Sequence, residues 1–176
     1  MSTLELKELS HPSGEVIKIA AGKTLDLKSQ GSVTMPTGSV LQVVSSGTID
    51  RTTFTTTGAW VATNTTLAIT PIYTSSKILV MLSQPLRFAS SASTARGALR
   101  LKRGSSVVWN TQPHSEMFQW NVTSENATNG AMHYLDSPST TSATTYSIEA
   151  YQSVSGTMIL WESTRGAVIT LMEIQG

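Results

Sequence analysis

The chain has 176 residues, no cysteine and a formal net charge of +1. This excludes disulfide staples, thiolate metal sites, cysteine nucleophiles and a broad basic footprint for nucleic acid. Charged residues make up only 13%, about half the usual share of roughly 25%, while serine and threonine together reach about 29%, above average usage. With 39% hydrophobic residues, this composition fits a β-rich protein with a lightly charged surface, not a disordered chain. No run of eighteen apolar residues occurs, so no membrane insertion is expected. The opening MSTLELKELSHPSGE carries acidic residues and no apolar core, unlike a secretory signal. A lightly charged surface without such a leader fits a particle component released by lysis.

Residues 1–13 form a helical turn or a strand that ends at His11-Pro12-Ser13-Gly14, because the residue before proline avoids the α region. A short repeat follows. Apolar pairs stand at Ile17/Ile19, Leu25/Leu27, Val33/Met35 and Leu41/Val43, with Gly14, Gly22, Gly31 and Gly38 in the gaps. A period-two apolar pair bounded by glycine predicts a short strand with one buried face. Such a strand cannot by itself bury enough surface to offset its ordering entropy. Its partner is either the rest of the chain, folded back on it, or two further copies wound about a common axis as a stalk. The second is the expectation: an attachment segment and β-repeat stalk over 1–45, with the eight apolar residues at its trimer core.

Beyond the repeat, the alternation predicts strands over 40–44, 49–57, 67–72 and 77–88, the third ended by Pro71 and the fourth the strongest apolar run. SSASTARG over 90–97 reads as a loop. Residues 98–104 and 106–110 read as a hairpin, and 116–122 as a strand with Phe118 and Trp120 on one face. SENATNG over 124–130 reads as a loop closed by the turn dipeptide Asn129-Gly130. Strands over 131–136, 144–152, 157–161 and 167–174 complete the chain. Tyr146, Ile148 and Ala150 share one face of the second of these. About ten strands at regular spacing, with no convincing helix, predict an all-β jelly-roll sandwich head over 46–176, with a lipocalin-like barrel as the alternative.

Several stretches resemble the fibre proteins of tailed phages, particularly marine and cyanophage types. They are SHPSGEVIKIAAGKTLDLKSQGSVTMPTGSVLQVV over 10–44, Pro36-Thr37-Gly38-Ser39-Val40-Leu41-Gln42-Val43 within it, Ser76-Lys77-Ile78-Leu79-Val80, Tyr134-Leu135-Asp136-Ser137-Pro138 and Ile169-Thr170-Leu171-Met172-Glu173-Ile174. The resemblance covers most of 10–176. It implies a trimeric head of the tumour-necrosis-factor or complement-head kind, in a virion protein that docks on other phage structural proteins through its N-terminus and meets a host surface glycan or protein with its head. Tail fibres, head fibres and capsid decorations share these modules, so a decoration or adaptor without a host ligand is the alternative. The resemblance carries over no ligand residues.

Nothing in the sequence calls for a catalyst, cofactor or metal. The three histidines His11, His114 and His133 lack zinc spacing, and neither a nucleophile elbow nor a calcium loop occurs. Asp136, Glu149 and Glu162 are the carboxylates to test for a glycoside-hydrolase pair, with ordinary surface carboxylates as the plain reading. Among the tryptophans Trp60, Trp109, Trp120 and Trp161, Trp109 and Trp120 flank a polar loop containing His114. Together with Asn126 and Asn129 these three are the candidate binding residues for a glycan or receptor. Burial in the core or at a trimer axis is the competing reading for the tryptophans. Arg100, Lys102 and Arg103 form either a small anion-binding patch or a solvated face. Five of the seven methionines, Met81, Met117, Met132, Met158 and Met172, read as core filler.

Overall fold

A computed structural model describes residues 21–23, 35–47, 49, 51–89, 95–110, 118–120, 126–153, 156–160 and 166–176. The chain divides into two units, Met1–Thr34 and Met35–Gly176. In the first unit, Gly22 lies at a turn with φ 73°, the left-handed conformation that glycine supplies. Ile17, Ile19, Leu25, Leu27 and Val33 lie outside the described residues.

The second unit is an antiparallel β-sandwich with no helix among the described residues. Its strands are β1 (Val40–Ser45), β2 (Thr52–Phe54), β3 (Trp60–Ile69), β4 (Lys77–Ala89), β5 (Ala95–Arg103), β6 (Ser106–Asn110), β7 (Phe118–Trp120), β8 (Asn126–Asp136), β9 (Thr144–Gln152), β10 (Thr157–Leu160) and β11 (Val168–Ile174). The first sheet is built around β4. One edge of β4 carries β8 along nearly its whole length. The other carries β11 against residues 77–83 and then β10 against residues 86–89. Outside these, β1 pairs with β11 and β2 with β10, joined by the bridge Ile49–Ala167. The second sheet runs β3-β9-β5-β6, with β7 also on β5. The chain passes between the sheets after β2, β3, β4, β7, β8 and β9, the wrapping expected of a jelly roll.

Alternation explains the layers. On β4, Ile78, Val80, Leu82, Leu86 and Phe88 are buried, and on β9 so are Tyr146, Ile148 and Ala150. These point inward from opposite sheets and pack with Leu99, Leu101, Ile169 and Leu171 into one core. Tyr146, Ile148 and Ala150 thus share the face expected for them. Met132 and Met158 fill that core, whereas Met81 and Met172 stand half-buried on the outer face of the first sheet. Met117 lies outside the described residues.

Two expectations need correction. The fourth apolar pair, Leu41 and Val43, lies within β1, a strand of the sandwich sheet, so the division falls after Thr34 and not after Ser45. The folded-back reading therefore holds for this pair, because β11 offers it a ladder. Asn129-Gly130 closes no turn: it lies inside β8, paired with Pro85 and Gln84. Gly130 is needed there for close approach, since a Cβ on it would sit 2.7 Å from Phe118 Cζ and 3.2 Å from Leu99 Cδ1. Gly130→Ala is expected to destabilise the sandwich by about 1–3 kcal/mol through overpacking, read as a lower urea midpoint. An unchanged midpoint would mean that Phe118 simply swings aside. The hairpin turn at Gly104 (φ 55°) holds as predicted between β5 and β6.

Candidate functional site

The sandwich has two dissimilar ends. At the end where β1 begins, Val40, Ile174, Lys77 and Asp136 terminate the first sheet, and Ile69, Thr144, Arg103 and Ser106 the second. Two buried carboxylates organise it. Glu173 is fully buried, yet no cation is paired with it among the described residues. Its Oε1 accepts from the Ile72 N–H (2.7 Å) and the Ser76 hydroxyl (2.6 Å), and its Oε2 from Gln42 Nε2 (2.5 Å). Burial alone would raise its pKa. The donations from Ser76, Gln42 and the N–H groups of Ile72 and Tyr73 outweigh burial and hold it below the usual value. Asp136 takes both oxygens to Arg103 Nη1 (2.9 and 2.8 Å) and accepts from the Tyr146 hydroxyl (2.6 Å). Burial first, then this hydrogen bond to Asp136, pushes the Tyr146 phenol well above its ordinary range, so it stays a donor. The cluster ties β8 of one sheet to β5 and β9 of the other.

The three cations Arg100, Lys102 and Arg103 therefore do not form one patch. Arg103 serves Asp136. Arg100 and Lys102 both pair with Glu149 on the outer face of the second sheet. Burial would raise the Glu149 pKa, but these two partners hold it below the ordinary carboxylate value. Arg100 also lies over the Trp60 ring, 4.6 Å from its centroid, and Trp60 leans on Tyr151 at 5.5 Å. That tryptophan face is already occupied. Asp136, on β8 of the first sheet, meets Arg103 and Tyr146 between the sheets, whereas Glu149 lies on the outer face of the second sheet; the two share no site, and Glu162 lies outside the described residues.

At the opposite end, β4 ends at Ala89, β5 starts at Ala95, β8 starts at Asn126, β9 ends at Gln152 and β10 starts at Thr157. The outer face of the first sheet carries a hollow toward this end. It measures about 520 Å³ and is lined by Ser83, Pro85, Leu86, Ala127, Thr128, Asn129 and Gly166. Its origin is legible in the register. On that edge of β4, β11 pairs as far as Ser83 and β10 begins at Leu86, which leaves Gln84 and Pro85 opposite a gap. A proline without an N–H costs the sheet no ladder bond on an edge where no strand pairs. Ser83 and Asn129 meet across the strands at 3.4 Å, in both donor senses.

Among the described residues, Asn129 is the one candidate binding residue that lines this hollow. Trp109 is half-buried. Its backbone pairs with Leu101 and its side chain packs against the edge of the core. The backbones of Trp120 and Asn126 pair with Ala95 and Phe88, while their side chains and all of His114 lie outside the described residues. Sequence reasoning missed Ser83, Pro85 and Thr128. The one signal was Pro85 itself, an odd residue within so apolar a run.

The same outer face is apolar toward the other end. Val43, Met172, Leu79 and Leu135 are register partners across β1, β11, β4 and β8. Val43 and Leu135 are 54% and 48% exposed, and Val40, paired with Ile174 one row further out, is 48% exposed.

No protein family and no curated protein matches this sequence. Among solved structures, the Gx strain of infectious bursal disease virus aligns with 86% of the chain at a TM-score of 0.40 and 11% identity. The VP2 subviral particle of the same virus also covers 86%, at a TM-score of 0.38 and 11% identity. This chain spans 42% and 41% of the length of those two.

Proposed function

We propose that this chain is a homotrimeric virion fibre protein with no catalytic role. Its N-terminal region docks on the phage particle, and the end of the head farthest from β1 meets the host cell surface. The observation that carries this reading is the exposed apolar row Val43–Met172–Leu79–Leu135. An apolar face crossing four strands favours burial against another protein surface. A second and third copy of the same chain are the partners that a closed symmetric assembly supplies. The repeat over 14–35 points the same way, because its apolar pairs need partners that one copy lacks. The phage setting rests on the sequence resemblance.

Light scattering on the full chain tests it. The wild type is expected at three times the protomer mass of 18.8 kDa. The double variant Val43→Lys/Leu135→Lys puts two charges into the row at exposed positions, and is expected to run as a folded monomer. A wild type that is monomeric at all concentrations overturns the reading, as does a double variant that stays trimeric.

A further inference from the structure

We propose that the hollow at Ser83, Pro85 and Asn129 binds one uncharged sugar unit of a surface glycan. The proposal rests on the reading of the head as the host-contacting part, and deepens it by naming a site and a ligand class.

The lining decides the class. Among the described lining residues none is charged. Among these residues there is no cation to neutralise a phosphate or carboxylate and no acid to hold a metal or an amine. A plain hydrocarbon fits poorly, because it would strip water from the Ser83 and Thr128 hydroxyls and the Asn129 amide without replacing those hydrogen bonds. The remaining class is neutral and rich in hydroxyls. The Asn129 amide offers two donors and an acceptor, and the Ser83 hydroxyl offers both roles. Their mutual contact at 3.4 Å is at the long limit for a hydrogen bond, so it is readily exchanged for bonds to a ligand. Neighbouring hydroxyls on a pyranose ring present the matching donor–acceptor pairs. Pro85 and Ala127 supply apolar surface for the C–H face of that ring, while the Leu86 side chain is buried in the core. The size suits one or two sugar units, since small-molecule sites are commonly about 300–1,000 Å³.

Position agrees with this use. Along β4 the hollow lies about six residues from Leu79, or roughly 20 Å at strand rise. An assembly formed through the apolar row can leave it open. Three such sites on one rigid head would gain avidity from individually weak contacts.

The experiment is a chemical-shift titration of isotope-labelled full-length protein with glucose, galactose, mannose and N-acetylglucosamine. Glucuronate and inorganic phosphate are run alongside as charged probes. At least one neutral sugar is expected to move the Asn129 side-chain and Ser83 signals with a dissociation constant of about 1 mM. Asn129→Ala, at an exposed position, is expected to weaken that binding at least about tenfold. Thr145→Ala, exposed on the other sheet, should leave it unchanged. The proposal is overturned if no neutral sugar moves these signals at ten times that concentration, if Asn129→Ala responds like the wild type, or if a charged probe binds as well as the sugars. Retained attachment of labelled protein to host cells alongside any of these outcomes would remove the site but keep the adhesive role. Loss of both would remove the adhesive role too.

Discussion

Glu173→Gln is expected to lower the unfolding free energy by about 3 kcal/mol. The wild-type carboxylate is fully buried and faces only donors: the Ile72 N–H, the Ser76 hydroxyl and the Gln42 amide. Glutamine keeps the shape but turns one acceptor into an NH₂ that meets another donor. A buried donor without an acceptor costs about 1–3 kcal/mol, and more where a charged partner is lost. At this chain length about 3 kcal/mol corresponds to a melting-temperature loss of roughly 6–12 °C, measured at equal protomer concentration because association shifts apparent stability. The pH dependence has a definite sign. The folded Glu173 pKa lies below its unfolded value, so its contribution is complete above the ordinary carboxylate range near 4.3 and is lost as pH falls through the lower folded value. The gap between wild type and Glu173→Gln should therefore narrow in acid. Glu149, also held low by Arg100 and Lys102, weakens both proteins equally there. A variant that melts with the wild type at neutral pH would show that the 70–76 loop does not depend on this anion.

Asp136→Ala is expected to cost about 3–5 kcal/mol, the usual penalty for removing one member of a buried pair. It strands the Arg103 guanidinium and leaves the buried Tyr146 hydroxyl without its acceptor. Tyr146→Phe should cost less, about 1–2 kcal/mol, because Asp136 keeps its arginine. Since Asp136 joins β8 to β5 and β9, the two changes act on one link. The double variant should fall short of the sum by about 0.5–3 kcal/mol in urea denaturation. Strict additivity would mean that the two groups stabilise the sandwich independently.

Burial leaves a period-two trace, and that trace was legible wherever one face of a strand is dry. The alternation in Lys77–Ala89 and Thr144–Gln152 announces two core strands without any knowledge of their partners. Trp60–Ile69 was recognised only at its C-terminal end, because its first half is threonine- and asparagine-rich. That half is interrupted by a register shift between Ala62 and Thr66, where Thr63 and Thr65 bond to Ile148 O and Gln84 Oε1 in place of apolar packing. Asn129-Gly130 reads as a turn from local propensity alone. Tertiary packing overrides that propensity, since Phe118 and Leu99 occupy the space above the glycine. The apolar pair Leu41/Val43 looked like its three predecessors, and only the presence of β11 beside it makes it part of the sandwich.

The sequence by itself determined the all-β class, the sandwich with its strand spacing, and the absence of thiol chemistry, because composition and alternation are local records of what each residue must bury. The sites belong to the tertiary structure. Gln42, Ile72, Ser76 and Glu173 meet although up to 131 positions separate them. The hollow exists only because β10 and β11 leave a gap along one edge of β4. Register decides both, and register is a relation between strands that no single stretch of sequence contains.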